Sequence, residues 1–310
     1  MPISTINPAS ISGLGYGFKN RIINGDMRID QRNAGASVTP ANGQFTVDRF
    51  KAYLTQASKY TAQQNAGSVT PPNGFKNYLG VTSSSAYSVV SSDYFGLAHP
   101  IEGFNIVDLA WGTASAQTIT LSFWARSSLT GTFGGALASD GSANRSYPFT
   151  YPINAANTWE LKTITIAGDT AGAWLSTNGL SIEVRFGLGA GSTWSGSAGA
   201  WTSGNFVSAT GATSVVGTSG ATFYITGVQL EAGVKATNFD YRPYGLELAL
   251  CQRYYEKSYA INTVPGTSSN FGCNITYSNN YPSGGLSGGS MVIYKASKRA
   301  APTVISYSIS

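Results

Sequence analysis

The residues able to do chemistry in this chain are few and widely spaced. Its single histidine, His99, precedes Pro100 and no nucleophile elbow accompanies it, so it reads as a loop or strand-end residue rather than a general base. One histidine with two cysteines, Cys251 and Cys273, is too small a set for a structural zinc site. The cysteines read as ordinary, partly buried thiols or as one bridge. Carboxylates leave more options. Asp26 and Asp30 are four apart, Asp48 sits in Val47-Asp48-Arg49-Phe50, and Glu231 closes a strand-like run. Two carboxylates about 5 to 10 Å apart hydrolyse a glycosidic bond. The same groups would ligate calcium or simply pair with Arg28, Arg32 and Arg49, and spacing alone keeps all three readings open.

Aromatic chemistry is the other candidate. Trp194 and Trp201 lie in 187–220, a stretch dominated by Gly, Ser, Thr and Ala. In one reading this is a long loop or edge hairpin whose tryptophans pack down on a sheet. In the other, an indole offers its flat face to the apolar C–H face of a sugar ring, and small neighbours permit close approach.

Composition restricts the setting. Charged residues make up 11% of the 310, against roughly a quarter in an ordinary domain, so hydroxyls and amides must solvate the surface. The net charge is +5, yet the 19 Lys and Arg are scattered and only Lys295 to Arg299 brings three close together. A nucleic-acid footprint would cluster on one face, so none is expected. No apolar run reaches the roughly 20 residues of a membrane span. Met1 begins no basic-then-apolar leader, which fits a protein assembled in a cytoplasm and released by lysis.

The elements that must position these residues are strands. In 118–126, Ile119, Leu121, Phe123 and Ala125 share one face. In 181–186, Ile182, Val184 and Phe186 point inward, with Glu183 and Arg185 outward. In 222–231 the apolar parity switches at Gly227, which a glycine bulge explains. Short strands between Gly, Asn, Pro and Ser clusters predict an antiparallel sandwich. A helical pattern begins only at Arg242-Pro243. There Leu246, Leu250 and Tyr254 recur every four residues as a packing or oligomerisation stripe. Gln252, Arg253, Glu256 and Lys257 form the wet side, and the helix is expected to end near Ser258. Strands are expected at 271–277 and 290–294.

Two edges of the chain carry a resemblance. Asn20-Arg21-Ile22-Ile23-Asn24-Gly25-Asp26-Met27 is similar to the opening strand of carbohydrate-binding jelly rolls, and 223–233 to their closing strand. Together with Asp30-Gln31-Arg32, the stretch 47–50, Phe239-Asp240-Tyr241-Arg242-Pro243 and 247–255, the chain resembles bacteriophage virion fibre and tail proteins. That resemblance implies a mainly β chain: a virion-docking arm (1–19), an antiparallel jelly-roll β-sandwich (20–240), and a helix plus small β unit (241–310) for trimerisation or a tip. It implies a non-enzymatic homotrimer, exposed on the virion and bound to other virion proteins through its arm. The jelly roll would bind host surface glycans, here through Trp194 or Trp201. In related modules an opening acid and a closing carboxylate hold structural calcium. Asp26 and Glu231 match those strands, but Thr226-Gly227 stand where the closing aspartate is usual, so no cofactor is expected. A decoration protein without ligand and a glycan depolymerase are the alternatives.

Overall fold

The computed structural model describes residues 19–139, 143–269 and 293–307. The expected arm up to residue 18, Cys273, the strand at 271–277 and most of that at 290–294 lie outside the described residues.

Two antiparallel sheets face each other. Numbering strands along the chain, the larger sheet runs β1 (Phe45–Val47), β2 (Phe50–Leu54), β5 (Tyr94–Glu102), β10 (Leu180–Ala190), β7 (Gly131–Ser139), β8 (Arg145–Ile153), β12 (Thr202–Ser203). The smaller runs β3 (Tyr60–Gln64), β4 (Leu79–Ser83), β14 (Thr222–Ala232), β6 (Ile119–Ser127), β9 (Glu160–Ile166). Strands distant in sequence are neighbours in both, as in a jelly roll, and one continuous apolar core fills the space between. Alternation decides which side chains enter it. Ile119, Leu121, Phe123 and Ala125 of β6 are fully buried, as are Ile182, Val184 and Phe186 of β10. Phe123 meets Tyr151 and Phe186 edge-on, each at 5.0 Å. The bulge predicted in β14 is present: Gly227 has φ +61, and the register with β6 shifts between Thr226 and Gln229. Phe223, Ile225, Val228 and Leu230 therefore all reach the core.

The outward face of the larger sheet differs from expectation. Glu183 and Arg185 are 0% exposed, because the chain after β10 folds back across this face. That segment is pinned by a parallel pair, β11 (Ser195–Gly196) with β13 (Ser208–Ala209). Glycines in the sheet make the approach possible. A Cβ at Gly134 would lie 2.4 Å from Ser208 Oγ, and one at Gly187 2.6 Å from the same atom. The glycine- and serine-rich stretch is thus a cover whose small residues let two backbones meet.

The expected opening strand is not a regular strand. Asn24 and Met27 take positive φ, so 20–27 runs beside β14 by isolated bonds, Arg21 N–H to Leu230 O (3.0 Å) and Val228 N–H to Gly25 O (2.9 Å). A Cβ at Gly25 would sit 2.2 Å from Val228 O, which excludes any other residue.

The helix, α1 (Tyr244–Gln252), ends six residues before Ser258 and follows Pro243 in extended conformation. Its packing stripe also lies one residue further on than expected. Leu246 is 52% exposed, while Glu247 and Cys251 are buried. Leu250 and Tyr254 pack from the side on the cluster of Ile23, Ile29 and Cys251. The shift has a polar cause: the Glu247 carboxylate accepts from the buried Asn24 N–H and pairs with Arg242, which turns that face inward. Lys257, expected in water, is buried and donates to Ile261 O and Thr263 O.

Candidate ligand-binding cleft

The sequence-predicted site residues separate in space. Trp194 is half-buried; its indole N–H donates to Ser92 O (3.0 Å), and its ring lies 4.5 Å from Tyr94, which stacks on Tyr53 at 4.5 Å. Trp201 belongs to another ring cluster, edge-on to Trp111, Trp174 and Tyr147 at 5.2, 5.4 and 5.5 Å. Its N–H donates to Ala167 O (2.7 Å). Three edge-to-face contacts make Trp201 a packing residue at the sheet edge.

The two calcium candidates also have separate partners. Asp26 pairs with Arg28 at 3.0 Å. Glu231 accepts from Gln229 Nε2 (2.8 Å), Thr237 N–H (2.9 Å) and Thr237 Oγ1 (2.7 Å), closing the turn after β14. Among the described residues no three acidic, histidine or cysteine side chains converge as a metal site. His99 lies within β5 rather than at its end and is fully buried, its Nε2 against the Ile23 backbone. Burial, reinforced by Arg49, holds its pKa well below the usual value, so it is a neutral core residue.

The site that the fold does assemble is a cleft of about 390 Å³ at one end of the larger sheet, within the usual size range for small-ligand pockets. Four stretches supply most of its wall, and Arg32 and Leu180 complete it. The β1–β2 corner brings Phe45, Asp48, Arg49 and Lys51, and the end of β5 brings Pro100 to Glu102. The last turn of α1 and its continuation bring Cys251, Arg253 and Tyr254, and 298–302 close the rim. The corner is tight: Arg49 has φ 72, and Asn24 Nδ2 holds the Asp48 carbonyl at 2.8 Å.

Three of the four arginines that line the cleft are fixed by a flat ring or a carboxylate, and Arg299 donates to Asn178 O (3.0 Å). The Arg49 guanidinium lies 3.4 Å above the Tyr254 ring and donates to Pro100 O. Arg32 lies 3.7 Å over Tyr255 and 4.7 Å over Phe45. Arg253 makes a two-pronged pair with Glu102, both bonds 2.9 Å. Burial works against the charge of Arg32 and Arg49. It likewise pushes the buried Cys251 thiol up, which makes that group inert.

Asp48 gives the cleft a measurable property. It is 1% exposed and accepts from the Gln31 backbone and side chain, with Arg32 at 3.6 Å. Burial dominates, and its carboxyl is raised from 3.8 to about 6 despite Arg32. A folded value above the unfolded one means that this group's contribution is complete below pH 4 and is lost as pH rises through 6. A shift of that size is worth about 3 kcal/mol. Between pH 4 and 7 the wild-type protein is therefore expected to lose about 3 kcal/mol relative to Asp48→Asn. Paired urea titrations at several pH values check this, and parallel pH curves for the two proteins would overturn it. Only the difference is diagnostic, since Asp26 and Asp30 are also raised by burial while Glu102 and Glu183 are lowered by their cationic partners.

The cleft continues onto the sheet. Lys51 lines it, pairs with Glu183 and stands 6.0 Å over the Tyr53 ring. Tyr53, Tyr94 and Trp194 then follow as a half-buried aromatic strip. Sequence reasoning left Asp48 open between catalysis, calcium and pairing, took Arg49 as a pairing partner, and missed the cleft. Its visible traces were arginines beside aromatic residues in Arg49-Phe50 and Arg253-Tyr254-Tyr255, and the basic triplet ending at Arg299.

No family model and no curated protein matches this chain. Solved structures similar to it include a putative sugar binding protein from Bacteroides thetaiotaomicron, at 10% identity and TM-score 0.38, covering 69% of this chain and 100% of that one. A family 4 carbohydrate-binding module has 13% identity and TM-score 0.35, over 68% of this chain and 99% of that one. The enzymatically active domain of bacteriophage CBA120 tailspike protein 4 has 13% identity and TM-score 0.37, over 69% of this chain. The matched part spans only 21% of that tailspike chain.

Proposed function

We propose that this protein is a saccharide-binding, non-catalytic subunit of a bacteriophage fibre or tail appendage, exposed on the virion and used for attachment to host surface glycans. The observation that carries the reading is the cleft that opens onto the Tyr53, Tyr94 and Trp194 strip. Aromatic faces supply apolar platforms for sugar rings, and charged and amide groups beside them supply directional bonds. The fibre setting comes from the motif resemblance. Leu246 and Tyr244, 52% and 45% exposed at the start of α1, leave apolar surface for contact between copies in a homotrimer. Three copies would raise a weak affinity per site through avidity.

The test is binding of the folded protein to a panel of host-surface polysaccharides. Binding without release of reducing ends is expected, and Tyr94→Ala is expected to weaken it about tenfold, the worth of one aromatic platform. A folded oligomer that binds no member of the panel would leave a decoration protein. Release of reducing ends would make it a depolymerase.

A further inference from the structure

Among the described residues the cleft carries an excess of positive charge with no occupant. Six cationic side chains line it against two carboxylates, Asp48 and Glu102. Even with Glu183 and Glu256 counted as partners of Lys51 and Lys298, two positive charges remain. The least satisfied of them is Arg49. It is 4% exposed, yet its Nε–H has no hydrogen-bond acceptor among the described residues. A buried donor without an acceptor leaves the guanidinium charge poorly compensated, and a ligand oxygen set against the part of Arg49 that lines the cleft supplies that compensation. Tyr254 fixes the guanidinium plane beneath it, so the donor is held in place before a ligand arrives. Lys298 stands at the rim, held by the Gln252 carbonyl and Glu256, and carries one more N–H than these two acceptors take.

We propose that this cleft is an anion subsite and that the saccharide recognised by the protein is an acidic one, its carboxylate or sulfate seated against Arg49 with Lys298 at the rim. The inference rests on the glycan-binding reading and specifies the ligand class. One acid group occupies the cleft, and the neighbouring sugar rings extend past Lys51 toward Tyr53 and Tyr94.

The test compares an oligogalacturonate with its carboxyl-reduced counterpart, and both with inorganic sulfate, by calorimetric titration of the full chain. The acidic oligosaccharide is expected to bind at least tenfold more tightly than the reduced one, and sulfate to compete with it. Arg49→Gln and Lys298→Ala are expected to abolish most of that preference while leaving the reduced form's affinity in place. Arg49 is packed, so a thermal melt accompanies each variant. Lys298, at the rim, keeps the test decisive where Arg49→Gln does not fold. Equal affinity for acidic and reduced forms, with no competition by sulfate, would overturn the anion subsite and leave the glycan-binding reading standing. Sulfate binding lost in both variants, with no saccharide bound at all, would show an anion site but overturn its assignment to an acidic saccharide together with the glycan-binding reading.

Discussion

Replacing Arg185 by alanine is expected to cost about 3 to 5 kcal/mol, the usual loss when one member of a buried ion pair is removed. Arg185 is fully buried on the outward face of the larger sheet and donates to Glu183 through Nε (3.0 Å) and Nη2 (2.8 Å). Its Nη1 reaches Asn205 Oδ1 (2.5 Å) and Phe206 O (2.9 Å), and its guanidinium lies 4.7 Å from the Tyr53 ring. The side chain therefore connects the strand to the segment that covers it. Without it, Glu183 keeps only Lys51 as a charged partner, and the cover loses two acceptor contacts at once. Urea denaturation followed by tryptophan fluorescence measures the loss, and limited proteolysis reports whether the cover has lifted. The double variant Glu183→Leu/Arg185→Met is expected to recover most of the stability, since no charge is then left buried, and Lys51, 18% exposed at its side chain, is free to turn to water. A single variant within about 1 kcal/mol of wild type, the scale of a surface pair, would show that the cover is held by other means.

The same two residues show where sequence reading stops. Alternation in β10 placed Glu183 and Arg185 correctly on the face opposite Ile182 and Val184, because the strand period is a local property. What lies against that face is not local. The cover arrives from Asn205, Phe206 and Ser208, and nothing within β10 records its approach. The bulge at Gly227 was legible for the opposite reason: the parity switch and the glycine that permits it are adjacent. The packing half of the helix stripe holds for Leu250 and Tyr254 but not for Leu246, because α1 has only nine residues. At that length a buried carboxylate with two partners outweighs a pattern of three apolar side chains. The cleft was legible only in fragments. Arg32, Arg49, Arg253 and Lys298 come from separate stretches, and each looks like an isolated cation until the corner at Asp48 and the end of α1 are brought together.

That meeting depends on Glu247, whose replacement by alanine is the other substitution expected to cost about 3 to 5 kcal/mol. The carboxylate is 3% exposed, accepts from the Asn24 N–H, and takes Arg242 Nη1 at 3.3 and 3.2 Å on its two oxygens. Arg242 in turn donates to the Asn20 and Ile22 carbonyls, tying the helix start to the opening segment. Asn24 passes the constraint on: its Nδ2 bonds Ile29 O and Asp48 O, each at 2.8 Å, and its Oδ1 accepts from Ile29 N–H (2.9 Å). A chain of bonds therefore runs from the first turn of α1 to the corner that places Arg49. Alanine leaves a buried N–H without an acceptor and takes from Arg242 the nearer of its two carboxylates, Asp240 remaining at 3.8 Å. Glutamine keeps an acceptor for Asn24 and loses only the charge, so Glu247→Gln is expected to cost about 1 to 3 kcal/mol. Hydrogen exchange should show the loss first at Asn24 and Ile29 and in α1, with the protection of β6 and β14 retained. Uniform loss of protection across both sheets would instead make Glu247 part of the global core, and the link from helix to cleft would then be only geometric.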